Sequence, residues 1–435
     1  MEDTVLTINF AYEAGKDGDV AQRNAFWNSQ TTIDWFERHG YTLYMPENDE
    51  FFPRNMIPKF PCAEKEYTGE YPFAAYDTTP ALYMPDVPLR AHEENGKVMF
   101  AQDRQKRHVA IKIVRLETDE YRILEFLKDQ PLEILKENCV LPVLEILPIS
   151  SFCFVVMPRW GGNVIDPGLD TVGEVLQMMR GMLKGLAFLH KHNIIHGDIN
   201  ISNFMMDDFR DDWQTRNYEL RICRRAEGRT LYAIYDFDLS RKVPQHINPR
   251  DYWISTDSPL TWGTFNVTMD YAQGELEYNP FIRDVGALGV TFSHYFQHMI
   301  PEIPILAPFL DMLTTRKLRK RFTASEALRF LDDFYDTLSE EELKRPVPET
   351  EYTASVYYEY DRWKSVPEHL AKKWAIYREP PLSVKTKLLR RLFQYEWVYY
   401  PKVILVRRFL AKIPKVWRAG ISLVSPYLGR YSCPL

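Results

Sequence analysis

The spacing of apolar residues changes once along the chain, at Pro158. Before it, short runs of alternating apolar residues predict strands over 97–101, 108–115, 141–147 and 152–157, and a helix over 118–128. A helical stretch is also predicted around 26–38, and the prolines over 45–88 indicate an extended segment. After it, apolar residues from Val172 to Leu189 recur every three or four positions, the period of a helix with one buried face. Further helices are predicted over 283–296, 305–313 and 323–338. The pattern indicates an α+β fold, with a small sheet-rich part followed by a larger helical part.

The length of 435 residues is about three times the usual ~150 per domain, so one large bilobal domain with extensions, or two domains, is expected. With 45% hydrophobic residues the chain can bury a sizeable core, which excludes a disordered polymer. Its five scattered cysteines lack metal-ligand spacing, which argues against a disulfide framework or a zinc cluster and favours a reducing compartment.

No basic, apolar leader opens the sequence, and no run approaches the roughly 18 apolar residues of a membrane span. A soluble or peripheral protein in the cytoplasm is therefore expected. Charge is uneven: 382–435 hold eleven Lys or Arg against one acid, Glu396, a net of +10. With a total of −6, the other residues carry −16. A net-acidic body disfavours nucleic-acid binding, which requires basic surface.

Several short motifs contain polar and charged residues of the types that bind or transfer phosphate. They are His196-Gly197-Asp198 with Asn203 five residues after the aspartate, Asp236-Phe237-Asp238 after a strand, Val109-Ala110-Ile111-Lys112, and Glu120. In order and type these motifs resemble the eukaryotic protein kinase family, and more narrowly the divergent kinase-like proteins of mushroom-forming fungi. The resemblance covers about residues 90 to 340.

The resemblance implies a bilobal protein kinase-like fold with nucleotide between the lobes. The expected divisions are an N-terminal extension over 1–85, a β-rich N-lobe over 86–158, a helical C-lobe over 159–340, and a C-terminal extension with a basic aromatic tail over 341–435.

The resemblance also implies roles for five side chains around Mg·ATP. Lys112 would contact the α and β phosphates and be held by Glu120, and Asp198 would act on the substrate hydroxyl. Asn203 and Asp236 would supply oxygen ligands to Mg²⁺. Taken alone, Lys112 reads as an exposed strand lysine and the aspartates as turn residues. The spacing and the neighbouring residues favour the functional interpretation.

The nucleotide's remaining contacts are expected from the hinge and the loop above it. Gly96, Val98, Ala110, Met157 and Trp160 would line this part of the cleft, with Arg159 beside Trp160 in the adenine-facing linker. The resemblance gives two scaffold roles as well. Asp284 would brace the backbone of the catalytic loop, and Arg321 would meet a carboxylate, either Glu275 or Glu277.

Several positions depart from the family's pattern. Ala91 and Glu93 stand where the phosphate-covering loop should have its first two glycines, which puts nucleotide affinity in doubt. Gly197 replaces an arginine that pairs with an activation-loop phosphate, so no phosphorylation switch is expected. Asp238 replaces a glycine, and Asn200 replaces a lysine usual in serine/threonine kinases.

The function expected is transfer of the γ-phosphate of ATP to a protein hydroxyl, of the serine/threonine type, with Mg²⁺ as cofactor and a protein as substrate. One alternative is a catalytically impaired pseudokinase, a nucleotide-binding or scaffold module, which the departures favour. A further alternative, a small-molecule phosphotransferase, depends on the His-Gly-Asp sequence. The basic tail is expected to pack on the acidic body, the alternative being peripheral contact of 382–435 with an anionic membrane.

Overall fold

A computed structural model provides the structure of the chain. It describes residues 6–8, 10, 18–47, 55–61, 66–77, 89–210, 218–255, 270, 277–349, 360–384 and 387–388. The proposed docking of the basic tail on the body or on a membrane lies largely outside these residues. No helix among them combines the length and apolar character that crossing a membrane requires.

The described residues form seventeen short strands, most of them in the first half of the chain. They are β1 Tyr41–Leu43, β2 Met45–Pro46, β3 Asn55–Ile57, β4 Glu66–Tyr67, β5 Ala75–Asp77, β6 Ala91–His92, β7 Val98–Asp103, β8 His108–Arg115, β9 Glu145–Ile149, β10 Phe152–Pro158, β11 Ile194–Ile195, β12 Phe204–Met206, β13 Asp208–Phe209, β14 Tyr232–Ile234, β15 Arg241–Lys242, β16 Ile254–Ser255 and β17 Glu277–Tyr278.

The described residues also form eleven α-helices. They are α1 Gly18–Trp27, α2 Gln30–His39, α3 Asp119–Lys128, α4 Leu132–Glu137, α5 Val172–Lys191, α6 Glu219–Ala226, α7 Pro280–Phe296, α8 Leu306–Thr314, α9 Ala324–Tyr335, α10 Glu340–Leu343 and α11 Glu368–Lys373. The α+β, bilobal organisation predicted from the sequence is confirmed.

The small lobe is built on one antiparallel sheet with strand order β1-β7-β8-β10-β9. Alternate residues of β8 point to opposite faces. Ile111 and Ile113 face a core shared with α1 and α2, whereas Val114 faces the core shared with α3. Lys112 belongs to the second set, so the sheet's alternation directs it toward α3 and the cleft.

The sheet takes its edge strand β1 from residues that precede position 86, where the sequence placed the end of the N-terminal extension. Tyr41 pairs with Asp103, and the Tyr41 hydroxyl donates to Glu145 across the sheet at 2.5 Å. The division at residue 86 stays a prediction, but the extension is integral to the small lobe.

Two sequence-based predictions are corrected by the structure. The strand expected over 141–147 lies at Glu145–Ile149, because the preceding residues pair with the large lobe: the Leu141 amide donates to Ile234 at 3.1 Å. The helical stretch around 26–38 is two helices, since the Ser29 hydroxyl accepts from the Thr32 amide and starts α2 as its N-cap.

One segment of the chain's first part reaches both lobes. Residues 66–77, here called the interlobe segment, carry β5, which pairs in parallel with β13 of the large lobe. The Ala75 amide donates to the Asp207 carbonyl at 2.9 Å, and the Arg107 guanidinium of the small lobe lies 3.8 Å from the ring centre of Phe73. The segment therefore passes behind the hinge and ties the two lobes together.

Candidate active site

A partly buried lysine joins the two lobes at the back of the cleft. Lys112 lies in β8 opposite Val98 and Val155. Its Nζ atom lies 2.6 Å from Oε1 of Glu120 on α3, and 2.7 Å from Oδ1 of Asp236, which follows β14. The Glu120 side chain is buried, that of Lys112 is 12% exposed and that of Asp236 is 31% exposed.

The cation and the two carboxylates shift each other's protonation. Burial would lower the pKa of Lys112, but Asp236 and Glu120 hold it well above its ordinary value. Burial would also raise the pKa of Asp236, yet the Lys112 ammonium outweighs burial and keeps that pKa below its usual range. Lys112 is therefore charged at neutral pH, and its charge is directed at the cleft.

The catalytic loop between β11 and β12 is held from below by a buried aspartate of α7. Asp284 accepts the backbone amides of His196 at 2.8 Å and Gly197 at 3.0 Å, and His190 Nε2 lies 3.2 Å from its Oδ2 atom. Burial would raise the pKa of Asp284, but the bond from His190 keeps it below its ordinary value. These contacts match the scaffold role expected for Asp284.

Gly197 has a backbone conformation that suits only glycine at this place. Its φ angle is +82°, and a Cβ atom there would lie 2.7 Å from the carbonyl oxygen of Leu239. Its own carbonyl accepts from Arg283 Nη1 at 2.7 Å. An arginine side chain at position 197 is therefore excluded by the local backbone as well as absent from the sequence.

Asp198 and Asn203 lie at the two ends of one tight turn. The Asn203 amide nitrogen donates to the Asp198 carbonyl at 2.7 Å and to its Oδ2 atom at 3.1 Å. Both side chains are buried. The bond leaves the Asn203 amide oxygen as an acceptor, the role that a Mg²⁺ ligand needs.

The pairing of β12 with β14 brings Asn203 close to Asp236. Phe204 pairs with Ile234, and the Tyr235 amide donates to the Asn203 carbonyl at 3.2 Å, so Asp236 follows one residue later. Burial, then the Asp236 charge, raises the pKa of Asp238 nearby. One amide and one or two carboxylates fit Mg²⁺, which takes few protein ligands and completes its shell with phosphate and water oxygens. Within the described part of the chain, no group of three or more His, Cys, Asp or Glu could hold a metal by itself.

A cavity of about 410 Å³ lies between the lobes. Its walls include five of the residues predicted for nucleotide contact, but not Gly96, together with two acids and Met205: Val98, Ala110, Lys112, Met157, Trp160, Glu120, Asp236 and Met205. A volume of roughly 300–1,000 Å³ is typical of small-molecule sites. Val98, Ala110 and Met157 form an apolar part of the cavity, and Lys112, Glu120 and Asp236 form a charged part.

The hinge residues Arg159 and Trp160 line this cavity, yet their polar groups bind elsewhere. Trp160 Nε1 donates to the Pro72 carbonyl of the interlobe segment at 2.8 Å. The Arg159 guanidinium donates to the Tyr44 hydroxyl and to the carbonyls of Leu89 and Arg90, at 2.7 to 3.2 Å. Contact of Trp160 with adenine stays a prediction, and only its ring faces the cleft.

The loop above the cavity, between β6 and β7, contains Gly96. Its φ angle is +67°, and a Cβ atom there would lie 2.9 Å from Cβ of Arg23 in α1. The Gly96 amide donates to the carboxylate of Glu93. Gly96 is thus placed by packing against α1, which the sequence did not indicate.

The carboxylate that meets Arg321 is Asp270. The two side chains form a pair of hydrogen bonds, both 2.8 Å, and each is about 1% exposed. Glu277 is exposed in β17, so the expectation that it or Glu275 plays this part is wrong for Glu277; Glu275 lies outside the described residues. The sequence indicated that an acid before α7 pairs with Arg321, but it favoured the two glutamates nearer to α7 over Asp270.

A larger cavity of about 580 Å³ lies away from the cleft, where residues after 360 pack on α8. Its buried polar groups are paired with one another: Asp311 accepts Arg362 Nη1 at 2.8 Å and Trp363 Nε1 at 2.7 Å. This region attaches the C-terminal segment to the large lobe.

A two-lobed fold whose cleft holds a lysine between two acids, above an aspartate–asparagine turn, defines a kinase-like protein. A family model described as protein tyrosine and serine/threonine kinase matches residues 92–273. This match supports a eukaryotic protein kinase domain over these residues, as the motifs predicted. The narrower likeness to fungal kinase-like proteins stays a prediction.

Among characterised proteins, the chain is similar to testis-specific serine/threonine-protein kinase 4 of Homo sapiens. The two are 24% identical over 218 residues, which cover 46% of this chain and 60% of that protein. The chain thus matches about 60% of the length of this curated relative.

Proposed function

We propose that this chain is an ATP-dependent protein kinase that transfers the γ-phosphate to a serine or threonine hydroxyl of a protein. The observation that carries the proposal is the position of Lys112 Nζ, 2.6 Å from Glu120 and 2.7 Å from Asp236. The match to the kinase family model and the likeness to a serine/threonine kinase support the reaction class.

In this proposal the small-lobe side chains bind the nucleotide. Lys112 contacts the α and β phosphates, and Glu120 fixes its ammonium. Val98, Ala110 and Met157 pack around the adenine ring in the apolar part of the cavity. Asn203 and Asp236 hold Mg²⁺, which neutralises charge on the phosphate oxygens when bound.

Asp198 orients the acceptor hydroxyl for in-line attack and accepts its proton. The bond from the hydroxyl oxygen to the γ-phosphorus forms as the bond to the β–γ bridging oxygen breaks, and ADP leaves. The Asn203 amide, which donates to Oδ2 of Asp198 at 3.1 Å, keeps one carboxylate oxygen fixed. The other oxygen serves the hydroxyl.

The alternative, a pseudokinase that serves as a scaffold, is favoured by one observation. The Glu93 carboxylate accepts a hydrogen bond from the Gly96 amide, a group that would otherwise be available to a phosphate.

The cytoplasmic location expected from the sequence stays a prediction.

Transfer of labelled γ-phosphate to dephosphorylated casein, with Mg²⁺, tests the proposal. Incorporation by the wild-type chain is expected to fall by at least about 100-fold in Asp198→Asn, since loss of a positioned base typically costs 10²–10⁴. Asp129→Asn, at an exposed position after α3, is the matched control and should retain wild-type activity. Equal incorporation by wild type and Asp198→Asn would refute the proposal, and no incorporation with intact nucleotide binding would favour the scaffold.

A further inference from the structure

In the loop that covers the charged end of the cleft, backbone amides donate hydrogen bonds to a carboxylate of the same loop. Residues 93–97 turn back between β6 and β7, and Glu93 accepts the backbone amides of Asn95 and Gly96. Consecutive backbone amides that converge on one point form an anion-binding concavity. In this chain the anion at that point is Glu93.

Helix α1 holds the same loop from the side away from the cleft. Arg23 Nε donates to the Asn95 carbonyl at 2.6 Å, and Trp27 Nε1 donates to the Gly96 carbonyl at 2.9 Å. Because α1 engages the carbonyls and Glu93 engages the amides, both polar edges of the loop are bonded. The turn is therefore preformed and does not depend on a bound ligand for its shape.

The surroundings of Glu93 are positively charged. Arg23 is 3% exposed, and its Nη1 atom has no hydrogen-bond partner among the described residues. Burial raises the pKa of Glu93, and the Arg23 and Lys97 charges oppose that rise. Two amides, a buried guanidinium and an ammonium thus surround one carboxylate, an arrangement that would bind a phosphate oxygen equally well.

The position of the loop relates this anion site to the nucleotide's phosphates. Glu93, Asn95 and Lys97 line the same cavity as Lys112 and Asp236. Lys97 also helps to lower the pKa of Asp236, so the two lie near each other. The Glu93 carboxylate consequently lies at the phosphate end of the cleft, away from the hinge.

We propose that Glu93 is an internal competitor for the terminal phosphates of the nucleotide. Its carboxylate occupies the loop amides, so a triphosphate must displace it, whereas a nucleoside that fills the apolar part of the cleft need not. Glu93 thereby sets the preference of the cleft among adenosine, ADP and ATP. The inference rests on the proposed nucleotide-binding function and predicts that this one residue lowers the affinity of that site for phosphates.

Titration calorimetry with adenosine, ADP and Mg·ATP on the full chain tests this role. Glu93→Gln keeps the size of the side chain and removes its charge, and the affinity for ATP should rise about tenfold, the worth of one charge-assisted hydrogen bond. The affinity for adenosine should stay within about twofold. Glu94→Gln makes the same change one residue further, at an exposed position outside the cavity lining, and should alter neither affinity.

Glu93→Ala provides a second variant, and thermal unfolding verifies that each variant folds. A gain for ATP over adenosine in either folded variant supports the proposal. Unchanged or weaker ATP binding, or an equal gain for all three ligands, overturns it while the proposed function stands. Absence of binding of any of the three ligands by wild type and variants alike overturns both.

Discussion

The Nζ atom of Lys112 lies 2.7 Å from Oδ1 of Asp236, although the two residues are 124 positions apart. Lys112 belongs to the sheet of the small lobe, and Asp236 follows a strand of the large lobe. Because Glu120 on α3 lies 2.6 Å from the same atom, one ammonium fixes a sheet, a helix and the opposite lobe. The pair is at once a stabilising contact and the charged part of the cleft.

Replacement of Lys112 by Met should destabilise the fold at pH 7 by about 3 kcal/mol, because removal of one partner leaves buried charge uncompensated. Urea unfolding measures the loss. Lys128→Met, on the exposed end of the same helix that carries Glu120, should change stability by less than about 0.5 kcal/mol. A loss equal to that of the control would show that the ion pairs contribute little.

The stabilities of wild type and Lys112→Met should respond differently to acid. The pKa of Asp236 in the folded wild type is below its unfolded value, so its stabilisation is complete above that unfolded value, about pH 4, and is lost as pH falls further. Without Lys112, burial would raise that pKa, and protonation would then favour the folded state. The stability gap between wild type and Lys112→Met should narrow between pH 7 and pH 4; a constant gap would contradict the assigned cause.

Residues whose role requires a fixed chemical type at a fixed spacing were predictable from the sequence. Lys112 contacts Glu120 and Asp236, and Asn203 contacts Asp198, so the structure forms two groups of the predicted residues. The alternation of β8 directs Lys112 toward α3 and the cleft. Their chemical roles were inferred from the same pattern and await measurement.

The glycine at position 197 can be tested against two other glycines. Gly197→Ala meets both a positive φ and a contact of 2.7 Å with the Leu239 carbonyl, whereas Gly228→Ala meets a φ of +67° with only a 4.0 Å contact. Gly162→Ala meets neither. The unfolding free energy is expected to fall by more than about 2 kcal/mol in Gly197→Ala, by about 1 kcal/mol in Gly228→Ala and by about 0 kcal/mol in Gly162→Ala. Equal losses at 197 and 228 would show that the loop relaxes around the added methyl.

Arg321 and Asp270 form a second buried pair, in the large lobe. Arg321→Ala should destabilise the fold by about 3–5 kcal/mol because it leaves the Asp270 carboxylate buried without a cation. Arg321→Lys should recover part of this loss, since lysine lacks the planar fork that bonds both oxygens. Arg319→Ala, an exposed neighbour, serves as control in thermal unfolding; a loss at 319 as large as at 321 would argue against the pair.

Features that depend on the path of the backbone were not predictable. The interlobe segment is attached to the large lobe partly through main-chain bonds, such as the Ala75 amide to the Asp207 carbonyl, which any residue type could make. Its prolines indicated an extended chain but gave no partner. Asp270 was missed for a related reason, because spacing along the chain does not reveal which acid the fold brings to a buried arginine.

The interlobe segment should behave as part of the folded domain in hydrogen exchange. The Ala75 amide is expected to exchange slowly in the wild type, and Trp160→Phe, which removes the bond to the Pro72 carbonyl, should speed its exchange by about fivefold, the effect of about 1 kcal/mol. The amide of Ile111 in the central strand β8 should be unchanged. Fast exchange of the Ala75 amide in the wild type would contradict the inference that the interlobe segment ties the two lobes together.

Calorimetric titration of ATP with and without Mg²⁺, on wild type and on Asp236→Asn, tests most directly whether the Lys112, Asn203 and Asp236 groups form one nucleotide–metal site. Mg²⁺ is expected to strengthen ATP binding to the wild type by about tenfold or more and to have little effect on Asp236→Asn. ATP binding that ignores Mg²⁺ in the wild type, or an undiminished Mg²⁺ effect in the variant, would contradict it.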